Sequence, residues 1–367
     1  MFAFLIAVAL AAAAPSAAPA AQTQPDSAAW QVGPDRLRFV AAGLDFPRSP
    51  GGLRFVQARD FSRPGTSLDT GLIFESSDGR VFATVYVYYP GMAHAGLTTL
   101  ATDWAIHTRS PEVERVATRL TAAGGHENAA IRSDYRRFDD DLVSSAAFVK
   151  LDRWMVKFRV SGPAAREADV NAAMTALLDG LRLEDDNRPA PPGLLAVDRC
   201  EGEPVPAARA LADDSQRVIA QTLVAGIDGG GQETEQPGPP LEARLGAAWC
   251  QPTRARVGDD TYLIYRARDS DRRVLGRSAA IVPINDAGRT FELVELRDGV
   301  FALMHHDIGR TDLLGTFDGP LSDEQIVNIL TGSDEDGGRI RATIELLPSG
   351  GTNIVIRVPV GEGNDQS

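Results

Sequence analysis

The chain has 367 residues, of which 43% are hydrophobic and 24% charged, with a formal net charge of −13. That length exceeds one ordinary core and suggests two domains, and the apolar fraction is that of a folded protein. The acidic balance argues against nucleic acid as a partner, because phosphate binding needs a basic face.

The charge is uneven: residues 1–194 carry 22 acids and 20 bases, whereas residues 195–367 carry 28 and 17. Residues 2–14 are an unbroken apolar run, and small residues follow at 15–22. This is the pattern of a secretory signal peptide over residues 1–21, although no Lys or Arg precedes the run. The run is short for a membrane span, and no later segment is long and apolar enough to cross a bilayer. A periplasmic or secreted protein is expected. Residues 22–34 read as a loose leader, with Trp30 packing back. Cys200 and Cys250 are the only cysteines, and in an oxidising compartment they are expected to form one disulfide. Closing a loop of roughly 50 residues adds about 4 kcal/mol in the chain-entropy picture.

In residues 35–186, short strands are expected at 36–41 and 53–58. A hairpin follows at 72–75 and 81–89 around Asp78-Gly79, where glycine accepts the positive φ of the turn. Leu97, Leu100, Ala101, Trp104 and Ala105 share one helical face. Ser110-Pro111-Glu112 reads as the start of a further helix carrying Val113, Val116, Ala117 and Leu120, stopped at Gly124-Gly125. Strands come next at 129–138, at 142–151 and from Trp154, joined by short turns that favour an antiparallel meander. In the last of them Trp154, Val156, Phe158 and Val160 alternate with Met155, Lys157, Arg159 and Ser161, the pattern of a strand with one buried face. Val170, Ala173, Met174, Leu177, Leu178 and Leu181 then make the apolar stripe of a helix that must lie on that sheet.

The Pro-rich stretch 187–194 is expected to be a linker. The acidic second domain, 195–360, opens with a helix predicted at 207–225 and a low-complexity loop at 226–240. Strands are expected at 242–250, 261–267, 279–284, 290–296, 300–306, 339–347 and 353–358. Ser322-x-x-Gln325 is a capping-box pattern ahead of a helix bearing Ile326, Val327, Ile329 and Leu330. Residues 361–367 are a tail. The fold class that follows is α+β, with two domains, each a mainly antiparallel sheet packed with a few helices.

The element order of residues 36–184, the pattern around residues 71–89 and the W-x-V-K-F-R strand running into the closing helix together resemble the PsbP-like α/β/α sandwich. The resemblance covers under half of the chain. It implies a non-catalytic module that binds partners or assists complex assembly.

Few familiar chemistries are present. There is no GxxxxGK[ST] loop, no HExxH and no CxxC, and no cofactor-binding pattern stands out. Gly276-Arg277-Ser278-Ala279-Ala280 lacks the second glycine of a nucleophile elbow, so Ser278 reads as a strand-edge serine. In the cluster His305-His306-Asp307, strand neighbours point to opposite faces, so His305 and Asp307 are the pair able to share a ligand. That is two donors where zinc sites need at least three. The acidic runs at 139–141 and 334–336 read as solvated turns rather than calcium loops. Tyr86, Tyr88, Tyr89, Trp104 and Trp154 are either core or the walls of a ligand pocket. The expected function is a non-enzymatic binding or assembly module of the bacterial cell envelope, with another envelope protein or a small ligand as partner. The alternatives are a small-ligand carrier with an aromatic-lined pocket and an unrecognised hydrolase using the His305/Asp307 region.

Overall fold

The computed structural model describes residues 29–63, 66–139, 141–152, 154–184, 188–189, 197–198, 205–211, 249–250, 252–257, 260–268, 278–285, 287–297, 299–332, 340–347 and 352–356. The signal-peptide segment, most of the 187–194 linker, the 226–240 loop, the acidic run at 334–336, Cys200 and the tail lie outside them.

The fold is α+β and mainly antiparallel. Strands β1 (Trp30–Val32), β2 (Arg36–Phe39) and β3 (Leu44–Pro47) pair in sequence, and β11 (Arg182–Leu183) joins them at the β3 edge. The main sheet of the first half has seven strands: β4 (Leu53–Asp60), β5 (Asp69–Ser76), β6 (Phe82–Tyr88), β7 (Glu114–Ala123), β8 (His126–Phe138), β9 (Leu142–Leu151) and β10 (Trp154–Pro163). Their spatial order is β4-β5-β6-β10-β9-β8-β7, which puts β10 at the centre. Helix α1 (Ala95–Arg109) lies on one face of this sheet, against β8 and β9; α2 (Glu167–Gly180) lies on the other, against β10 and β9. The expected α2 stripe is the buried one, with Ala173, Met174 and Leu177 wholly covered. Trp30 is buried and its ring meets Phe39 and Phe46 at 5.0 and 5.8 Å, so the predicted leader at 22–34 becomes part of the fold at its end.

The second half carries β12 (Val197–Asp198) and β13 (Trp249–Cys250), a short parallel pair, and an eight-stranded antiparallel meander. In chain order that meander is β14 (Thr253–Val257), β15 (Asp260–Arg266), β16 (Ser278–Pro283), β17 (Thr290–Arg297), β18 (Val300–Asp307), β19 (Arg310–Phe317), β20 (Ala342–Leu346) and β21 (Thr352–Ile356). Helix α3 (Asp323–Leu330) begins with the expected box: Ser322 Oγ accepts from the Gln325 amide, and the Gln325 side chain accepts from the Ser322 amide.

Three sequence expectations are corrected. Residues 114–123 form a strand, not a helix. Ser110 closes α1, its amide donating to the Ile106 carbonyl. The apolar spacing at Val113, Val116, Ala117 and Leu120 looked helical because register shifts between Arg115 and Ala117 and between Thr121 and Ala123 break the alternation of β7; each bulge inserts a residue and resets which side chains face inward. Residues 207–211 are extended rather than the start of a helix, and the rest of the 207–225 prediction lies outside the described residues. Leu211 donates to the Thr316 carbonyl at 2.8 Å, and Gln325 clamps Ala208 through both of its backbone groups. Lastly, β10 is buried on both faces: Met155 is 0% and Lys157 6% exposed. β14 and β19 were not anticipated. β14 is only five residues long, with two arginines, and β19 is buried along both faces while mixing Asp312 and threonines with its leucines, so its sequence shows no alternation.

Each half has its own sheet, but the apolar core crosses between them. Ile344 and Leu346 of β20 belong to the cluster that α2 and β10 build, and Leu97 of α1 packs among Trp249, Leu263 and Ile281. Backbone bonds join the halves as well: Gly91 donates to the Asp307 carbonyl at 2.8 Å, and Gly309 to the Tyr89 carbonyl at 2.7 Å.

Candidate functional site

Seven strands at about 4.8 Å spacing make a sheet roughly 30 Å wide, whereas one helix covers about 10 Å of it. α1 sits over β8 and β9, so among the described residues no helix lies over the same face of β5, β6 and β10. A cavity of about 600 Å³ occupies that space, within the usual range for small-ligand sites.

Strand register dictates its lining. Tyr88 pairs with Asp69 and Met155, Tyr86 with Gly71 and Lys157, and Thr84 with Arg159. With a period of two, Phe82, Thr84, Tyr86, Tyr88, Lys157 and Arg159 all project to this side, while Ala83, Val85, Val87, Val156 and Phe158 fill the opposite core. Phe138 and Leu142, flanking the β8–β9 turn, supply one end, together with Arg109, which ends α1 and pairs with Asp139 at 2.5 Å. Ala287, from the β16–β17 turn of the second half, closes part of the rim.

The cations of the floor rest against aromatic faces. Lys157 Nζ lies 5.8 Å from the Tyr86 ring centre and 5.9 Å from that of Phe148, and the Arg159 guanidinium lies 5.0 Å from the Phe138 ring. Such cation–π contacts stabilise a desolvated cation by about 1–2 kcal/mol. Two of the large apolar side chains that remain exposed stand near this opening: Phe82, which lines it, and Phe61, whose ring is 6.2 Å from Tyr86.

Asp69, at the other side of the cavity, has its carboxyl pushed up to about 6, first by burial and then by the neighbouring charges of Asp60 and Asp307. Its folded value lies above the unfolded value near 3.8, so its contribution to stability is full below pH 3.8 and is lost as pH rises through 6. Asp69→Asn is therefore expected to stabilise the protein by about 1 kcal/mol at pH 8, after discounting for solvent screening of a partly exposed group, and by nothing at pH 3.5. Denaturant titrations at the two pH values check this.

The histidine cluster behaves differently. The His305 ring stacks on Phe291 at 4.5 Å between centres, and its Nδ1 faces Asp312 at 3.8 Å. Asp307 accepts from Arg289 Nε and from the Ile308 amide, both at 2.8 Å; burial alone would raise its carboxyl, but these bonds hold it below the usual value. Asp307 lines a second cavity of about 330 Å³ between the halves, of which His305 is not a wall. Among the described residues no three His, Cys, Asp or Glu side chains converge as a metal site.

A constellation not foreseen from the sequence joins Ser278 on β16, Glu292 on β17, His306 on β18 and Thr311 on β19. Ser278 Oγ donates to Glu292, whose other oxygen lies 2.9 Å from His306 Nε2; His306 Nδ1 is 2.9 Å from Thr311 Oγ1. The carboxylate stands between serine and imidazole, so the imidazole is not placed to take the serine proton as a nucleophilic pair requires. All four residues are buried, and the network cross-links four strands.

Of the five aromatic candidates, Tyr86 and Tyr88 line the cavity. Tyr89 and Trp154 pack on each other in the core at 4.8 Å, and Trp104 packs near Trp249 with Arg254 over its ring. The signal that would have found the site is the pair Lys157 and Arg159 on a strand that the element order makes central. Cys250 is buried on β13, where the register places it opposite Asp198, two residues before Cys200 in sequence. Among the described residues no helix is long and apolar enough to cross a membrane.

No family model matches the chain, and no curated protein matches it. Among solved structures, the chain is similar to the solution structure of cyanobacterial PsbP (CyanoP) from Synechocystis sp. PCC 6803, with 14% identity and a TM-score of 0.30 over 43% of this chain and 94% of that one. It is also similar to a crystal structure from Bacteroides thetaiotaomicron VPI-5482, with 9% identity and a TM-score of 0.22 over 64% of this chain and 87% of that one.

Proposed function

We propose that this chain is an exported, non-enzymatic binding module of the bacterial cell envelope, and that it holds a small ligand in the cavity over β5, β6 and β10. One observation carries the reading: a ligand-sized space, walled by Tyr86, Tyr88 and Phe138, with Lys157 and Arg159 rising from the central strand of the sheet. Natural sheets cover such a face with apolar side chains. Here Lys157, which is buried, and Arg159, which is half-buried, stand on that face beside the aromatic walls. The N-terminal apolar run followed by small residues supports export to the periplasm or beyond, and a Cys200–Cys250 disulfide suits that compartment. The hydrolase alternative draws no support from His305 and Asp307, which are engaged elsewhere and share no cavity wall.

The reading is tested by thermal denaturation of the full chain against a small-molecule panel. A ligand that binds only the native state raises Tm with concentration, by an amount that follows about 2.7 kcal/mol of stabilisation at a hundred-fold excess over Kd. Thr84→Phe, which fills the cavity from its floor, is expected to abolish every such shift. Shifts that survive in that variant would place the ligand elsewhere.

A further inference from the structure

We propose that the ligand is an uncharged single-chain amphiphile, its hydrocarbon chain lying along β6 in the larger cavity and its hydroxyl-rich head seated past Asp69 in the smaller cavity between the halves. This rests on the reading of the larger cavity as the binding site and names the ligand that the two cavities together select.

The cavities meet at Asp69, which lines both. Phe82, Thr84, Tyr86 and Tyr88 wall the larger one in sequence along β6, and the register sets Tyr88 opposite Asp69, so the meeting point is at one end. Phe61, a wall of the smaller cavity, carries its ring to 6.2 Å from that of Tyr86. From the second half, Ala287 lines the larger cavity, and Arg289, two residues on, lines the smaller. One path therefore runs from Phe82 and Leu142 to the β18–β19 hairpin.

Dimensions limit the body of the ligand to one chain. Residues 82 to 88 span about 20 Å of strand, so a volume of about 600 Å³ leaves a mean cross-section of about 30 Å². A hydrocarbon chain with its neighbours at van der Waals contact occupies about 20 Å². Two chains side by side need more. The surface there suits a chain: Phe82, Tyr86, Tyr88, Phe138 and Leu142 are apolar walls, the charged ends of Lys157 and Arg159 lie against aromatic rings, and Arg109 is paired with Asp139.

The smaller cavity, of about 330 Å³, has the opposite character. Arg63, Arg289 and Arg310 stand in its wall with Asp69, Asp307 and Glu345, three charges of each sign. Arg289 is paired with Asp307 at 2.8 Å, and Arg310 with Asp312 at 3.0 Å. Such a wall offers no net attraction to either sign of ligand charge. A hydroxyl group both donates and accepts, so it can use guanidinium N–H groups and carboxylate oxygens alike, and Ser62 and Thr66 add hydroxyls of their own. A compact polyol is the head that this mixture serves best.

Three probes separate chain from head: octyl β-glucoside below its micelle concentration, 1-octanol and methyl β-glucoside, each titrated calorimetrically into the full chain. Octyl glucoside is expected to saturate and to bind about ten-fold tighter than octanol, which corresponds to about 1.4 kcal/mol, while methyl glucoside does not saturate. Thr84→Phe is expected to abolish binding of both octyl compounds. Thr66→Trp, at an exposed position beside the smaller cavity, is expected to bring octyl glucoside down to the affinity of octanol and to leave octanol unchanged. Arg63→Trp serves as the second variant should Thr66→Trp fail to fold, and the wild-type ratio needs no variant. Equal affinity for the two octyl compounds in the wild type, saturation by methyl glucoside, or a glucoside advantage that survives in the tryptophan variants overturns the inference and leaves the larger cavity standing as a binding site. The same holds if neither octyl compound saturates while another small molecule raises Tm in the wild type and not in Thr84→Phe. If no small molecule raises Tm, both fail.

Discussion

Gly91→Ala is expected to destabilise the protein by about 3 kcal/mol, at the upper end for a single added methyl group. A Cβ at this position would lie 2.5 Å from the Arg310 carbonyl oxygen, 2.8 Å from Thr311 Oγ1 and 3.2 Å from the Asp307 carbonyl oxygen. Two of these three are backbone atoms of the β18–β19 hairpin, so relief requires that the segment Pro90-Gly91 and that hairpin move apart. Moving apart stretches the bond from the Gly91 amide to Asp307 and the bridge between Pro90 and Ile308 beside it. Gly288 sets the second close approach, where a Cβ would meet the Pro90 and Tyr88 side chains. The loss is read as a lower denaturant midpoint. Gly79→Ala provides the comparison. A Cβ there would meet nothing within 4 Å, so the only penalty is the positive φ of a surface turn, and about 1 kcal/mol is expected. Because Ala287 and Tyr88 sit on opposite sides of this junction and both line the cavity, Gly91→Ala is expected to weaken ligand binding too. Equal stability of Gly91→Ala and Gly79→Ala would mean that the junction is loose enough to yield.

Acid should destabilise the wild type through His94 in a way that His94→Asn does not share. His94 is the N-cap of α1: its Nδ1 accepts from the Leu97 amide at 3.1 Å, and its Nε2 is buried without a hydrogen-bond partner among the described residues. Burial, and secondarily the charge of Lys150, lower its value to about 3. An unfolded histidine titrates near 6.5. The unfolded chain therefore takes up a proton at 6.5 that the folded chain refuses, so the stabilisation is complete above 6.5 and drains away as pH falls toward 3. Between pH 7 and pH 5 the wild type should lose about 2 kcal/mol more than His94→Asn, which keeps an acceptor for the helix N-terminus and does not titrate. The carboxylates titrate in both proteins and cancel in the difference. Parallel loss in the two proteins would show that His94 reaches solvent and charges freely.

The strand and helix pattern of residues 129–181 was legible because each element is long and regular. Five of the six α2 stripe residues predicted from spacing alone are buried in the helix itself, and the sixth, Leu181, is buried at its C-cap. The box at Ser322 and Gln325 was legible for a similar reason: capping is settled within four residues by local hydrogen bonds. Where local signals were ambiguous, long-range pairing decided. β7 has bulges that disguise a strand as a helix, and residues 207–211 are pulled straight by β19 and Gln325. The site was half legible. In the sequence Tyr86 and Tyr88 stand out as core or pocket walls, but Lys157 and Arg159 mark only the polar side of a strand with one buried face, since alternation reports polarity and says nothing of what lies above a face.

By itself the sequence determined the α+β class, the central elements of the first half and the shortage of familiar catalytic motifs, because those follow from periodicity, capping and composition along short stretches. Only the tertiary structure decided that β10 is central, that α1 stops short of covering its neighbours, and that the second half closes the rim. These depend on strand order and on which backbone approaches which, and both are set by residues far apart along the chain.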